Sequence, residues 1–127
     1  TSPSFEYLTK YAREVVDSGC KYLCMESSSE AMLFGRFDFY EFDSVAVTNI
    51  KREHLNSHGS LENYIACKMK IIANASSSGN TILNADDEHF EEAKSFANGK
   101  VLTYGSKDFC DLQILEYKEN QDYTEIN

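Results

Sequence analysis

The chain has 127 residues, enough for one domain with a real core, and its 42% hydrophobic and 13% aromatic content fits a globular protein. A formal net charge of −9 argues against a nucleic-acid partner, because no basic stripe offsets it. No apolar run reaches the roughly 18 residues that a membrane span needs and no signal peptide opens the sequence, so a cytoplasmic protein with no membrane partner is expected.

Ser2-Pro3 reads as an N-cap and first helical position. Apolar residues then recur at Phe5, Leu8, Tyr11, Ala12, Val15 and Val16, which is helical spacing, until Gly19 ends the helix. "CKYLCM" (20–25) reads as a buried strand, and "ESSSEAML" starts a short helical turn capped by serines. "DSVAVTN" (43–49) is the second strand, "SLENYIACKMKIIANA" (60–75) a strong helix, and "ASSSGN" (75–80) a short loop. "TILN" (81–84) is a third strand, "DDEHFEEAKSFA" (86–97) a helix, and "KVLTYG" (100–105) a fourth strand. "DLQILEY" (111–117) and "DYTEI" (122–126) predict a terminal β-hairpin. Strand alternating with helix predicts an α/β fold with a mainly parallel sheet flanked by helices and a C-terminal hairpin, in one domain. The cysteines Cys20, Cys24, Cys67 and Cys110 form no CxxC pair. They read as reduced, half-buried thiols.

Open parallel sheets bind ligands beyond the carboxyl ends of their strands. The first strand leads to Glu26 and the serines Ser27, Ser28 and Ser29. The second leads to Thr48, Asn49 and "KREHLNSHG", with His54 and His58 four apart. Glu26 and His54 could share a divalent cation, or be a solvated carboxylate and a turn histidine. The serines could cap the next helix or donate to a ligand oxygen. Arg36 could clamp a phosphate or carboxylate, or lie on the surface. Lys68 interrupts the apolar stripe Leu61, Tyr64, Ile65, Ile71, Ile72. Its stem could pack while its ammonium escapes to water, or it could be aimed into a site and partly desolvated.

"MESSSEAMLFGRFD" resembles the Mur ligase signature M-E-V-S-S-H-A-L-x-x-x-R. "TNIKREHLNSHGSLENYIACK" resembles T-N-L-x-x-D-H-L-D-Y-H-G-x-x-x-x-Y-x-x-A-K of the same family, and "LNADDE" and "VLTYG" follow in its order. "TSP" is similar to its T-T-P, and the likeness runs over most of residues 1–105. It is nearest to the branch that adds the third residue of the peptidoglycan stem. The resemblance implies an ATP- and Mg²⁺-dependent ligase acting on UDP-N-acetylmuramoyl-L-alanyl-D-glutamate and an incoming amino acid. An acyl phosphate forms on the dipeptide and the amine displaces phosphate. It further implies that Glu26 and His54 hold Mg²⁺, and that Lys68, carbamylated, is both a catalytic residue and a further ligand. Thr1, Ser2, Ser28 and Arg36 match positions that contact the UDP-muramoyl substrate.

Some positions depart from the pattern. Glu30 stands where the family has His, Phe34 where some members have Gln, Glu53 replaces Asp, and Asn56-Ser57 replaces Asp-Tyr. Asn84, Asp86 and Asp87 read as a capped strand-to-helix turn rather than ligand contacts. No G-x-x-x-x-G-K-[ST] phosphate loop occurs in the chain, which also opens without Met. It is therefore expected to be part of a central domain lacking its P-loop segment, inactive alone and inclined to self-association through an uncovered apolar edge. Two rivals are a ligase of the folylpolyglutamate or cyanophycin type, and a non-enzymatic metal- or protein-binding module on a degenerate ligase fold.

Overall fold

The computed structural model describes residues 2–51 and 55–127. In chain order its elements are α1 (Phe5–Asp17), α2 (Ser29–Leu33), β1 (Phe42–Val47), α3 (Leu55–His58), α4 (Leu61–Ala73), β2 (Ala75–Asn84), α5 (Phe90–Ser95), β3 (Lys100–Gly105), β4 (Leu112–Gln113), β5 (Tyr117–Glu119) and β6 (Thr124–Ile126). The described residues fall into two compact units, the first made of 2–40 and 55–71, the second of 41–51 and 72–127. No helix among the described residues is long and apolar enough to cross a membrane.

The second unit holds the sheet. Its order is β1-β2-β3-β4, and every neighbouring pair is parallel. β2 is flanked on both sides, with Thr81 opposite Val45 of β1 and opposite Val101 of β3. Thr81, Leu83 and Ala85 point to one buried face, and α5 packs against β2 through buried Phe90 and Ala93. The expected parallel α/β sheet is thus present, and β5 and β6 form the expected antiparallel hairpin. Its bounds differ from the expectation. Leu112–Gln113 leaves the predicted first arm to extend the main sheet as β4, so the hairpin pairs only 117–119 with 124–126.

The segment 75–80 is strand, not loop. Ser, Gly and Asn resist strand formation in isolation, but pairing with β1 overrides that preference. The register moves from Phe42↔Ala75 to Ser44↔Asn80, so a bulge on β2 absorbs the polar residues. Gly79 lies in it. A Cβ there would stand 2.5 Å from the Asp43 carbonyl oxygen and 3.1 Å from that of Ser76.

The first unit is mostly helical. α1 ends where expected, at Gly19 with φ +70, but it starts later. Ser4, not Ser2, is the N-cap, and it makes no side-chain cap bond. Of the predicted stripe only Leu8 is buried, while Phe5, Tyr11 and Val16 are exposed. "CKYLCM" is not a strand either. It pairs with no strand among the described residues, and Tyr22 and Leu23 are exposed. Apolar composition alone does not make a strand, because an extended backbone needs a hydrogen-bonding neighbour. Cys20 and Cys24 are exposed there rather than half-buried, and all four cysteines are free. The core of this unit gathers Leu8, Ala31, Met32, Phe37, Tyr64 and Met69.

Replacing Gly79 by Ala is expected to cost about 1–3 kcal/mol, because the strand backbones at the bulge must separate. Urea denaturation of the variant checks this, and an unchanged midpoint would show that the bulge has room for a methyl.

Candidate functional site

In the first unit, three of the four residues expected to contact substrate come together. Ser2 is almost wholly buried, at 4% exposure. Its hydroxyl donates to the Glu26 carbonyl oxygen at 2.9 Å and accepts the Ser28 N–H at 2.8 Å. Its carbonyl oxygen accepts from an Arg36 guanidinium nitrogen at 2.6 Å. Ser28 caps α2, its hydroxyl accepting the Ala31 N–H at 3.2 Å. The cap reading of the serines is therefore correct for Ser28, while Ser2 serves as a tertiary bridge instead of capping α1. A buried hydroxyl takes this course because it can satisfy a donor and an acceptor at once.

Arg36 is half-buried, with its guanidinium carbon 5.9 Å from the Phe34 ring centroid. Of its five N–H donors, the bond to Ser2 uses one. This is a held arginine, not a loose surface charge. The phenyl ring, where some Mur ligases carry Gln, gives the guanidinium an apolar face to lie against.

Lys68 sits on α4, half-buried, with its ammonium nitrogen 5.5 Å from the Tyr64 ring centroid. Tyr64 is 1% exposed. Its ring meets the His58 ring edge-on, at 5.5 Å and 79°. His58 is buried, and its Nε2 lies 3.0 Å from the Ser29 hydroxyl, while its Nδ1 has no hydrogen-bond partner among the described residues. Beside this pair, Ser57 donates to a Glu30 carboxylate oxygen. Sequence reasoning named these residues but not their pairing, since 29 positions separate His58 from Ser29.

The Glu26 side chain is exposed and follows irregular chain, not the end of a strand. Thr1 and His54 lie outside the described residues. Among the described residues no cluster of three His, Cys, Asp or Glu could hold a metal. Magnesium does not require one, since it keeps several waters and takes one or two carboxylates. An exposed carboxylate such as Glu26 is a donor of the type it uses.

The second unit has its own cleft, of about 440 Å³, beyond the carboxyl ends of β1 and β2. Thr48, Asn49, Lys51, Asn84, Asp86 and Asp87 line it. The aspartates are committed to structure. Asp87 accepts the Ile50 N–H at 2.7 Å and the His89 N–H at 2.9 Å. Asp86 accepts the Ser106 N–H at 2.7 Å and its hydroxyl at 2.9 Å. Asn84 donates to the Thr48 carbonyl oxygen at 3.1 Å and accepts the Asp86 N–H at 3.0 Å. These bonds agree with the turn reading of 84–87. Burial, then the Asp87 charge, raises the Tyr104 pKa, and its hydroxyl lies 3.3 Å from the Thr48 carbonyl oxygen.

A family profile described as Mur ligase middle domain matches residues 2–127. The chain belongs to the Mur ligase middle-domain family. Among its relatives, the UDP-N-acetylmuramoyl-L-alanyl-D-glutamate–2,6-diaminopimelate ligase of Caldanaerobacter subterraneus subsp. tengcongensis is 34% identical over 120 residues, covering 94% of this chain and 24% of the relative. The ligase of the same description from Chlamydia trachomatis serovar D is 40% identical over 99 residues, covering 78% of this chain and 20% of its own. This Mur ligase middle domain thus spans about a quarter of the length of the curated relatives it matches. A solved structure described as a UDP-N-acetylmuramoyl-L-alanyl-D-glutamate–2,6-diaminopimelate ligase superposes on all of this chain and 27% of its own, with TM-score 0.84 and 22% identity. MurF from Acinetobacter baumannii superposes on 66% of this chain and 18% of its own, with TM-score 0.58 and 16% identity. At those identities the likeness is one of fold.

Replacing Ser2 by Ala strands the Ser28 N–H and should destabilise the chain by about 1–3 kcal/mol. Ser4→Ala, which removes no cap bond, should cost much less. Parallel thermal melts check this, and equal losses would return Ser2 to an ordinary helix-start serine.

Proposed function

We propose that this chain is part of the ATP-binding middle domain of a bacterial, cytoplasmic ligase that joins a third amino acid to UDP-N-acetylmuramoyl-L-alanyl-D-glutamate. The observation that carries the reading is the convergence of Ser2, Ser28 and Arg36 on one hydrogen-bonded knot. All three match substrate-contacting positions of the family. The identity with diaminopimelate ligases over most of the chain supports the same substrate class.

In this reading Arg36 binds an anionic group of the UDP-muramoyl dipeptide. Its fork suits phosphate or carboxylate, and the Ser2 carbonyl fixes its direction. Ser28 and Thr1 supply further contacts to that substrate. Glu26, His54 and the carbamylated Lys68 are the residues that would hold Mg²⁺, a hard cation suited to oxygen donors. The bound metal would neutralise charge on the phosphoryl group passing from ATP to the dipeptide carboxylate. A carbamate is an anionic oxygen donor, which gives a half-buried lysine a reason to stand in the α4 stripe.

The complete polypeptide should convert ATP, the dipeptide and diaminopimelate or lysine into ADP, phosphate and the tripeptide. Arg36→Ala should raise KM for the dipeptide by roughly 10- to 100-fold, the worth of a hydrogen bond to a charged group. KM for ATP should move far less. An unchanged dipeptide KM would make Arg36 structural, and no amide product from the wild type would favour a non-enzymatic module.

Lys68→Ala should abolish most turnover while the fold survives, with stability lowered by no more than about 1–3 kcal/mol. A short carboxylic acid supplied in trans should restore part of the rate if the missing group is a carbamate oxygen. Near-normal kcat at ordinary Mg²⁺ would mean that the lysine is only snorkelling.

A further inference from the structure

A lysine has a long flexible stem, so a residue that uses its tip needs something to hold it. In the first unit that object is visible. The Lys68 ammonium lies 5.5 Å from the Tyr64 ring centroid, one helical turn away on α4. The aromatic face gives the methylenes an apolar wall, which holds the stem whether its tip is an ammonium or a carbamate. The ring is itself immobilised. It is 1% exposed, and the His58 ring abuts it edge-on at 79°. His58 is anchored at both ends, by Ser29 at 3.0 Å on its ring and by the Asn63 side-chain amide, which donates to its carbonyl oxygen at 3.0 Å.

His58 Nδ1 is the informative atom. It is buried and has no hydrogen-bond partner among the described residues, so the contact that the ring visibly makes on its other side is with Tyr64. The polar bond to Ser29 needs only one ring nitrogen. What the remainder of the ring does is brace Tyr64. We propose that Tyr64 is the positioning residue for Lys68, and that His58, held by Ser29, fixes the Tyr64 ring. The proposal rests on the reading that Lys68 takes part in the ligase chemistry. It adds the three residues that decide where its stem runs.

The test has a structural arm and a kinetic arm, both on the complete polypeptide. Reductive methylation with ¹³C-formaldehyde, on polypeptide freed of metal and bicarbonate so that Lys68 is a free amine, labels the lysines, and Lys68→Arg assigns the Lys68 signal. Wild type and Tyr64→Phe should show that signal shifted upfield by the ring current. Tyr64→Met, which keeps bulk but removes the ring, should return it to the position of exposed lysines. On unlabelled protein, Tyr64→Met should lower kcat by roughly 100-fold, the scale of an ångström-sized misplacement, with dipeptide KM moving by less than about threefold. Tyr64→Phe should keep at least about ten times the Tyr64→Met rate. If Tyr64→Met fails to fold, His58→Leu leaves the tyrosine intact and should reduce both the shift and kcat. An unshifted Lys68 signal in the wild type overturns the proposal. So does a Tyr64→Met or His58→Leu enzyme with wild-type kcat, or a Tyr64→Phe enzyme as slow as Tyr64→Met. A wild type that makes no tripeptide sinks the ligase reading instead, and the ring-current arm then judges the lysine's position by itself.

Discussion

The Ser2 hydroxyl ties together parts of the first unit that are 24 and 26 residues away in sequence. It accepts from the Ser28 N–H and donates to the Glu26 carbonyl, so it sets the course of the chain through 26–28. The adjacent Ser2 carbonyl anchors Arg36. The proposed substrate residues are therefore one hydrogen-bonded object, not separate side chains that happen to be near. Changes within such an object are not additive, because removing one member alters what the others can reach. Its burial matters as well. At 4% exposure, Ser2 is shielded from water that would otherwise compete for both bonds.

The two units use their polar side chains in opposite ways. At the ends of β1 and β2, Asp86 and Asp87 are absorbed by backbone N–H groups, and Asn84 is held by backbone on both sides of its amide. Those groups shape the loops. In the first unit the direction is reversed, because main-chain oxygen holds a cationic side chain. A guanidinium bound through one nitrogen keeps other donors for an anion, whereas a carboxylate saturated by N–H groups has little left to offer. That difference, not composition, makes the serine–arginine knot the better candidate site.

How much of this could be read from the sequence depended on how local the cause was. The α4 stripe from Leu61 to Ile72 and the β3 run 100–105 were legible, since periodicity within one element decides them. "CKYLCM" was misread because a strand is a property of a pair, and the apolar run carries no sign of whether a neighbour exists. Residues 75–80 were misread for the converse reason. Their Ser, Gly and Asn signal a loop, but β1 supplies hydrogen bonds and a bulge takes up the misfit. Ser2 was legible as a polar residue at a helix start and illegible as a bridge. Its partners Glu26 and Ser28 lie too far along the chain for any local rule to join them.

The departures from the family pattern make a related point. Glu30 and Ser57 each differ from the residue the Mur ligase signatures carry, and taken singly each weakens the resemblance. In the fold they hydrogen-bond to each other. Next to them, Ser29 and His58, which do match, make the neighbouring contact. The start of α2 and the end of α3 thus run past one another in opposite directions, 29 against 58 and 30 against 57. One rung carries residues that match the family signatures and the other carries the two departures. Glu30 lies in the first turn of α2, where a negative charge is favoured by the helix dipole, and the Ser57 hydroxyl supplies its donor. Two departures that satisfy each other leave the α2–α3 junction intact, and with it the brace of His58 against Tyr64.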